Sequence, residues 1–152
     1  MSPPTPHVPT ATRTFALLLS STRRGARLAR LLAVEQLRTW QVPPGVTWRV
    51  EQIVAELSAN AALHGRVAGR DFGLSLTLDT AAGTLRVEVE DTRGEEPPTL
   101  RPDFRPNAES GRGLLLVTAL ANRWGTEPRP PTGKVVWAEV DLNERPDAGR
   151  RS

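Results

Sequence analysis

Glu56, Asn60 and His64 recur four residues apart. At about 100° per residue they form one stripe along a helix, at the edge of the apolar arc of Val50, Ile53, Val54, Leu57 and Ala61. A carboxylate and a carboxamide beside a core face are costly unless they have partners. Together they offer oxygen ligands and a general base, the chemistry that a Mg²⁺ ion and a phosphoryl group require. The plainer alternative is a solvated Glu56 and an Asn60 that hydrogen-bonds the helix end. His64 alone suits a helix C-terminus favoured by the helix dipole.

The run Glu109-Ser110-Gly111-Arg112-Gly113-Leu114-Leu115-Leu116 places two glycines at the opening of an apolar helix. Free amides at a helix N-terminus, with no Cβ in the way, make a phosphate site, and Arg112 could add a bidentate contact. A flexible entry into a packed helix explains the same glycines. Asp91 ends an alternating strand, with Gly94 close by. A carboxylate there can accept the exocyclic amine of adenine, or simply initiate a turn.

These residues need a scaffold. Residues 12–19 read as a strand. Ser20, Ser21 and Thr22 offer N-cap hydroxyls for a helix over about 23–40, with Ala29, Leu32, Ala33, Leu37 and Trp40 on its apolar face. Pro43-Pro44-Gly45 stops that helix. Thr47 is expected to cap a second helix over about 48–64, ended by Gly65. Residues 72–78 and 85–89 alternate apolar and polar as a β-hairpin with one buried face. A proline-rich stretch, 92–112, follows as a lid. A third helix is expected over 113–122 and a last strand over 135–142. The order β-α-α-β-β-lid-α-β predicts a two-layer α+β sandwich, a mixed and mostly antiparallel sheet with helices on one face.

Composition narrows the classes. A chain of 152 residues fits one domain, here 12–143 between short tails at 1–11 and 144–152. The absence of cysteine removes disulfides, thiolate zinc sites and cysteine nucleophiles, and two histidines leave almost no room for a histidine metal cluster. The sequence pI near 10.8 accompanies a net charge of only +3. Lys134 is the only lysine, and tyrosine and cysteine are absent, so a small excess of spread-out arginine holds the pI high. Three Phe and four Trp without basic–aromatic interleaving do not make a nucleic-acid stacking platform. The strongest apolar run, 15–19, is far short of the roughly 20 residues of a membrane span, and the start has no signal-peptide core, so the expected location is cytoplasmic.

In order and spacing, Glu56–His64, then Val87-Glu88-Val89-Glu90-Asp91, then Glu109–Val117 resemble the nucleotide-binding blocks of the GHKL ATPase superfamily. That group includes gyrase, the histidine kinases and a heat-shock chaperone family. The short single-domain form resembles the anti-sigma-factor serine/threonine kinases and the ATP-binding regulatory proteins similar to them in actinomycetes. The resemblance implies a Bergerat-type fold, ATP and Mg²⁺. It implies that Glu56 is the base that polarises the attacking hydroxyl and that Asn60 holds Mg²⁺. Asp91, with Gly94 nearby, would bind adenine, while Gly111, Arg112, Gly113 and Leu114 surround the phosphates. Two positions depart from the pattern. Arg93 stands where the family usually has glycine, and Lys134 follows Gly133 where a threonine is common, with Thr132 the nearest hydroxyl.

The function so implied is a protein serine/threonine kinase that phosphorylates a small anti-anti-sigma (STAS-like) antagonist and sequesters a sigma factor. Arg23, Arg24 and Arg27 offer a partner-facing surface, or a solvated helix end. Related proteins often dimerise, which adds a homodimer to the expected partners. The alternative is a non-catalytic nucleotide-binding or scaffold module that regulates a partner by contact. A histidine sensor kinase is disfavoured: the chain has no room for a separate phosphoacceptor domain.

Overall fold

The computed structural model describes residues 12–64, 70–91, 108–130 and 133–143. Their elements run β1 (Thr12–Ser20), α1 (Arg23–Thr39), α2 (Pro44–His64), β2 (Asp71–Asp79), β3 (Thr84–Asp91), α3 (Ala108–Leu120), β4 (Arg123–Arg129) and β5 (Gly133–Asp141). The strands form one sheet in the order β1-β2-β3-β5-β4, and every neighbouring pair is antiparallel.

Strand alternation decides where the core lies. Phe72, Leu74, Leu76 and Leu78 of β2 are buried, and so are Leu85, Val87 and Val89 of β3. The register sets Leu74 against Val89 and Leu76 against Val87, so one face of the hairpin is continuous and apolar. The three helices cover that face. α2 is the central one: it packs on α1, α3 and the strands β2, β3 and β5. Its expected arc of Val50, Ile53, Val54, Leu57 and Ala61 is buried throughout. On α1, Ala29, Ala33 and Leu37 are fully buried, with Leu32 and Trp40 packed at the margin.

Helix ends explain where the elements begin. Thr22 caps α1: its Oγ1 accepts from the Gly25 N–H at 2.9 Å. At the other end, Gln41 adopts φ 58°, its N–H donates to the Arg38 carbonyl, and the Val42 N–H donates to that of Leu37. This pair of bonds is a Schellman closure, with glutamine in the place usually taken by glycine.

Three expectations are corrected. α2 begins at Pro44, four residues before the expected start, and Thr47 lies inside it with its hydroxyl donating to the Val42 carbonyl at 3.2 Å. Proline has no N–H to lose and its fixed φ suits a first helical turn, so Pro43-Pro44-Gly45 both ends one helix and starts the next. α3 begins at Ala108, so residues 108–112 of the expected lid are helical. β4 was not expected at all. Its sequence, RWGTEPR, shows no alternation, but an edge strand tolerates Pro128. The expected tails, residues 92–107 of the lid, Gly65, Gly94 and Thr132 lie outside the described residues.

The sheet's other face is a charged lattice. Arg86 stacks over Trp137, 4.4 Å from the ring centroid, and pairs with Glu88 at 2.7 Å and Glu139 at 3.0 Å. Arg123 reaches Glu139 at 2.9 Å and also binds Asp141. The hydrogen bond from Arg123 holds the Glu139 carboxyl below its ordinary value of 4.5, with Arg86 adding to it and burial opposing it. A depressed carboxylate contributes stability that is complete above its unfolded value and is lost as pH falls through its folded one. Glu139→Gln is therefore expected to lower stability by about 1 kcal/mol at pH 7. The melting curves of the two proteins should converge as pH falls below 4.5. A difference that persists undiminished at pH 2.5 would show that the carboxylate's charge is not what Glu139 contributes.

Candidate functional site

A cleft of about 750 Å³ opens between the first turns of α1 and the C-terminal half of α2. Glu56 and Asn60 line it together, one turn apart on α2. Their spacing puts both on the flank of α2 that faces α1, while Leu57 and Ala61 take the core side. The floor is made of small residues, Ala26 from α1 and Ala55, Ala59 and Ala62 from α2. Small side chains leave the volume empty and let a bulky ligand approach the backbone. Arg23, Arg27 and Arg30 of α1 form the opposite wall.

The charges of the wall are not equivalent. Arg30 is committed, its Nε donating to Glu51 of α2 at 2.8 Å. Arg23 and Arg27 carry no ion pair among the described residues, and neither Glu56 nor Asn60 makes a hydrogen bond there. Two arginines without an ion pair among the described residues thus line the same cleft as a carboxylate and a carboxamide. Such a cleft suits an anionic ligand on the arginine side and a cation or a hydroxyl proton on the other.

Mg²⁺ demands oxygen ligands and usually keeps only one or two from protein, the rest coming from phosphates and water. Among the described residues no cluster of three or more His, Cys, Asp or Glu could hold a metal unaided. The side-chain oxygen of Asn60, which makes no hydrogen bond among the described residues, fits a cation that arrives with a phosphate ligand.

The remaining expected site residues lie elsewhere around α2. Asp91 ends β3, opposite Phe72 of β2 and Lys134 of β5. Gly111, Arg112 and Gly113 lie inside α3, which packs against α2. Because α3 starts at Ala108, the N–H groups without intrahelical partners run only as far as Ser110. Neither the Gly111 nor the Gly113 amide is among them, which corrects the expectation that the two glycines open the helix. Leu114 is half-buried on α3. His64 is the last residue of α2. The structure thus joins Glu56 and Asn60 in one cleft and leaves Asp91 at a separate station at the sheet's end.

One feature of the site had no sequence signal. Arg49 of α2 donates through Nε to the Leu120 carbonyl at 2.9 Å and through a terminal nitrogen to Asn122 Oδ1 at 3.2 Å. It caps the C-terminus of α3 and ties that helix to the site helix. Its partners lie 71 and 73 residues away, a distance no periodicity reports.

A family model described as a histidine kinase-like ATPase domain matches residues 19–140. No curated protein matches the chain. Among solved structures, the crystal structure of the RsbU and RsbW domains of Rv1364c from Mycobacterium tuberculosis superposes with a TM-score of 0.64 at 18% identity. The match covers 85% of this chain and 32% of that one, so the chain spans about a third of the length of the protein it resembles. At that identity the likeness speaks for the fold.

Proposed function

The chain belongs to the histidine kinase-like ATPase domain family, and from that premise we propose that it is an ATP·Mg²⁺-binding regulatory serine/threonine kinase of the anti-sigma-factor type. The observation that carries this reading is the cleft in which Glu56 and Asn60 lie side by side opposite Arg23 and Arg27. The partners it implies are an anti-anti-sigma (STAS-like) antagonist, which receives the phosphoryl group, and a sigma factor. A second copy of the chain is a further candidate partner.

Each residue has a task in that reaction. The Glu56 carboxylate accepts the proton of the antagonist's serine or threonine hydroxyl as its oxygen bonds to the γ-phosphorus. The bond from that phosphorus to the bridging oxygen of ADP breaks in the same displacement. Asn60 supplies a protein oxygen to Mg²⁺, which when bound neutralises charge on the phosphates. Arg23 and Arg27, which carry no ion pair among the described residues, meet the negative charge of the incoming partner or the transferring group. The free N–H groups of the first turn of α3, before Gly111, add neutral donors for phosphate oxygens.

The test is thermal unfolding with and without ATP and Mg²⁺, on the natural chain and on Asn60→Ala. Ligand at 100 times its dissociation constant adds about 2.7 kcal/mol. For a domain of this size the expected rise is roughly 5–10 °C. It should require Mg²⁺ and be lost in Asn60→Ala. No shift at millimolar ATP would overturn the kinase reading and leave a scaffold that acts by contact.

A further inference from the structure

Arg49 is half-buried on α2, about two turns before Glu56. Its two bonds to the end of α3 are one half of a larger junction. Leu120, whose carbonyl accepts from Nε at 2.9 Å, ends α3, where the last carbonyls lack intrahelical partners and the helix dipole favours a cation. Asn122, whose Oδ1 accepts from the same guanidinium at 3.2 Å, is itself stapled to β5. That oxygen also accepts from the Asp141 N–H at 2.8 Å, and the Asn122 N–H donates to the Glu139 carbonyl at 2.8 Å. One guanidinium therefore joins α2, α3 and the sheet. The described side chains of α3, those of 114–120, hold it lightly: Val117 alone among them is buried, and Leu115 is exposed.

We propose that Arg49 is a positioning residue for phosphate binding: by clamping the C-terminal end of α3, it sets where the free N–H groups of that helix's first turn stand relative to Asn60. This deepens the nucleotide reading above and rests on it. With 13 residues, α3 is about 20 Å long. A tilt of about 5° at its clamped end carries its first turn by about 2 Å at that length. Misplacement by about 1 Å is enough to cost a site much of its effect.

The residue type at 49 supports the assignment. A planar guanidinium offers separate nitrogens to two fixed acceptors, whereas a lysine brings one compact, rotatable charge. Here the acceptors are a helix-end carbonyl and a strand-bound carboxamide, and the fork fixes one against the other. Arg49, Leu120 and Asn122 are not among the residues that line the cleft. An effect of Arg49 on ligand binding is therefore carried by the placement of α3.

The experiment is a calorimetric titration of ATP with Mg²⁺ into the natural chain, Arg49→Met, Arg49→Lys and Asn122→Ala, each with its melting curve. At about 15 °C a destabilised variant that melts above about 35 °C is almost wholly folded, so a merely structural role leaves its affinity unchanged. Arg49→Met and Asn122→Ala are each expected to weaken ATP binding by about three- to thirtyfold, the scale on which residues that touch no ligand modulate it. Arg49→Lys, which can keep one of the two bonds, should fall between. Asn122→Ala changes no charge, and it carries the test alone if Arg49→Met does not fold. A loss in Arg49→Met that Asn122→Ala does not share would reduce Arg49 to a distant positive charge and overturn the proposal. Natural affinity in both variants would overturn it too, while leaving the nucleotide site standing. A natural chain that binds no ATP would overturn the nucleotide reading and this one with it.

Discussion

Glu56→Gln is expected to cut transfer of label from ATP to the antagonist by about 10²- to 10⁴-fold, the range that a positioned general base contributes. ATP affinity should stay within about twofold, because a base that acts only on the attacking hydroxyl removes transition-state stabilisation and no ground-state contact. Glutamine keeps the volume and polarity of the side chain and deletes its ability to take a proton. Glu56 is half-buried at the cleft wall and makes no hydrogen bond among the described residues, so its replacement should leave the melting temperature unchanged. The contrast with Asn60→Ala is what gives the experiment its force. One variant binds nucleotide and does not transfer, and the other does not bind. Transfer at the natural rate in Glu56→Gln would remove Glu56 as the base. A parallel loss of ATP binding would place it among the ligands instead.

The apolar pattern made most of this fold legible. Alternation in 72–78 and 85–89 reports a strand with one buried face. The structure buries that face because three helices lie on it and the other face is a lattice of Arg86, Arg123, Glu88 and Glu139. The arc on α2 reports a helix because its apolar residues return every three or four positions. Where patterns conflict, the reading fails for physical reasons. Pro43-Pro44-Gly45 reads as a break, and a proline can also be the first residue of the next helix. RWGTEPR has no period to detect, since β4 is held by pairing with β5 and buries little of its own. The site was partly legible in the same sense. Glu56 and Asn60 share a turn of one helix, so their proximity follows from spacing alone. The approach of Arg23 and Arg27 to them, and of Lys134 to Asp91, is set by helix packing and strand register, which spacing along the chain does not contain.

Gly25→Ala is the substitution on which propensity and structure disagree most. In an exposed helix, alanine is worth about 1 kcal/mol more than glycine. Gly25 is buried in the first turn of α1, and a Cβ built there would lie 1.9 Å from the carbonyl oxygen of Ser20 and 2.9 Å from its carbonyl carbon. Both atoms are backbone, so no rotamer change relieves the contact. That carbonyl is also fixed: it accepts the Thr22 N–H at 2.8 Å, and the next residue, Ser21, donates to the Arg70 carbonyl at 3.1 Å. The methyl group must therefore push the start of α1 away from the end of β1, against the packing of Ala29 and Leu19 in the core. A net loss of about 3 kcal/mol is expected, at the upper end of overpacking costs. In thermal unfolding this is a fall of roughly 6–12 °C for a domain of this size. The loss carries a functional consequence, because the displaced turn bears Arg23 and Arg27, the wall that faces Glu56. Transfer to the antagonist should fall well below the temperature at which the variant melts. A variant that melts about 1 kcal/mol higher would mean that β1 and α1 do not meet at this carbonyl, and that the arginine wall is not held where the cleft requires it.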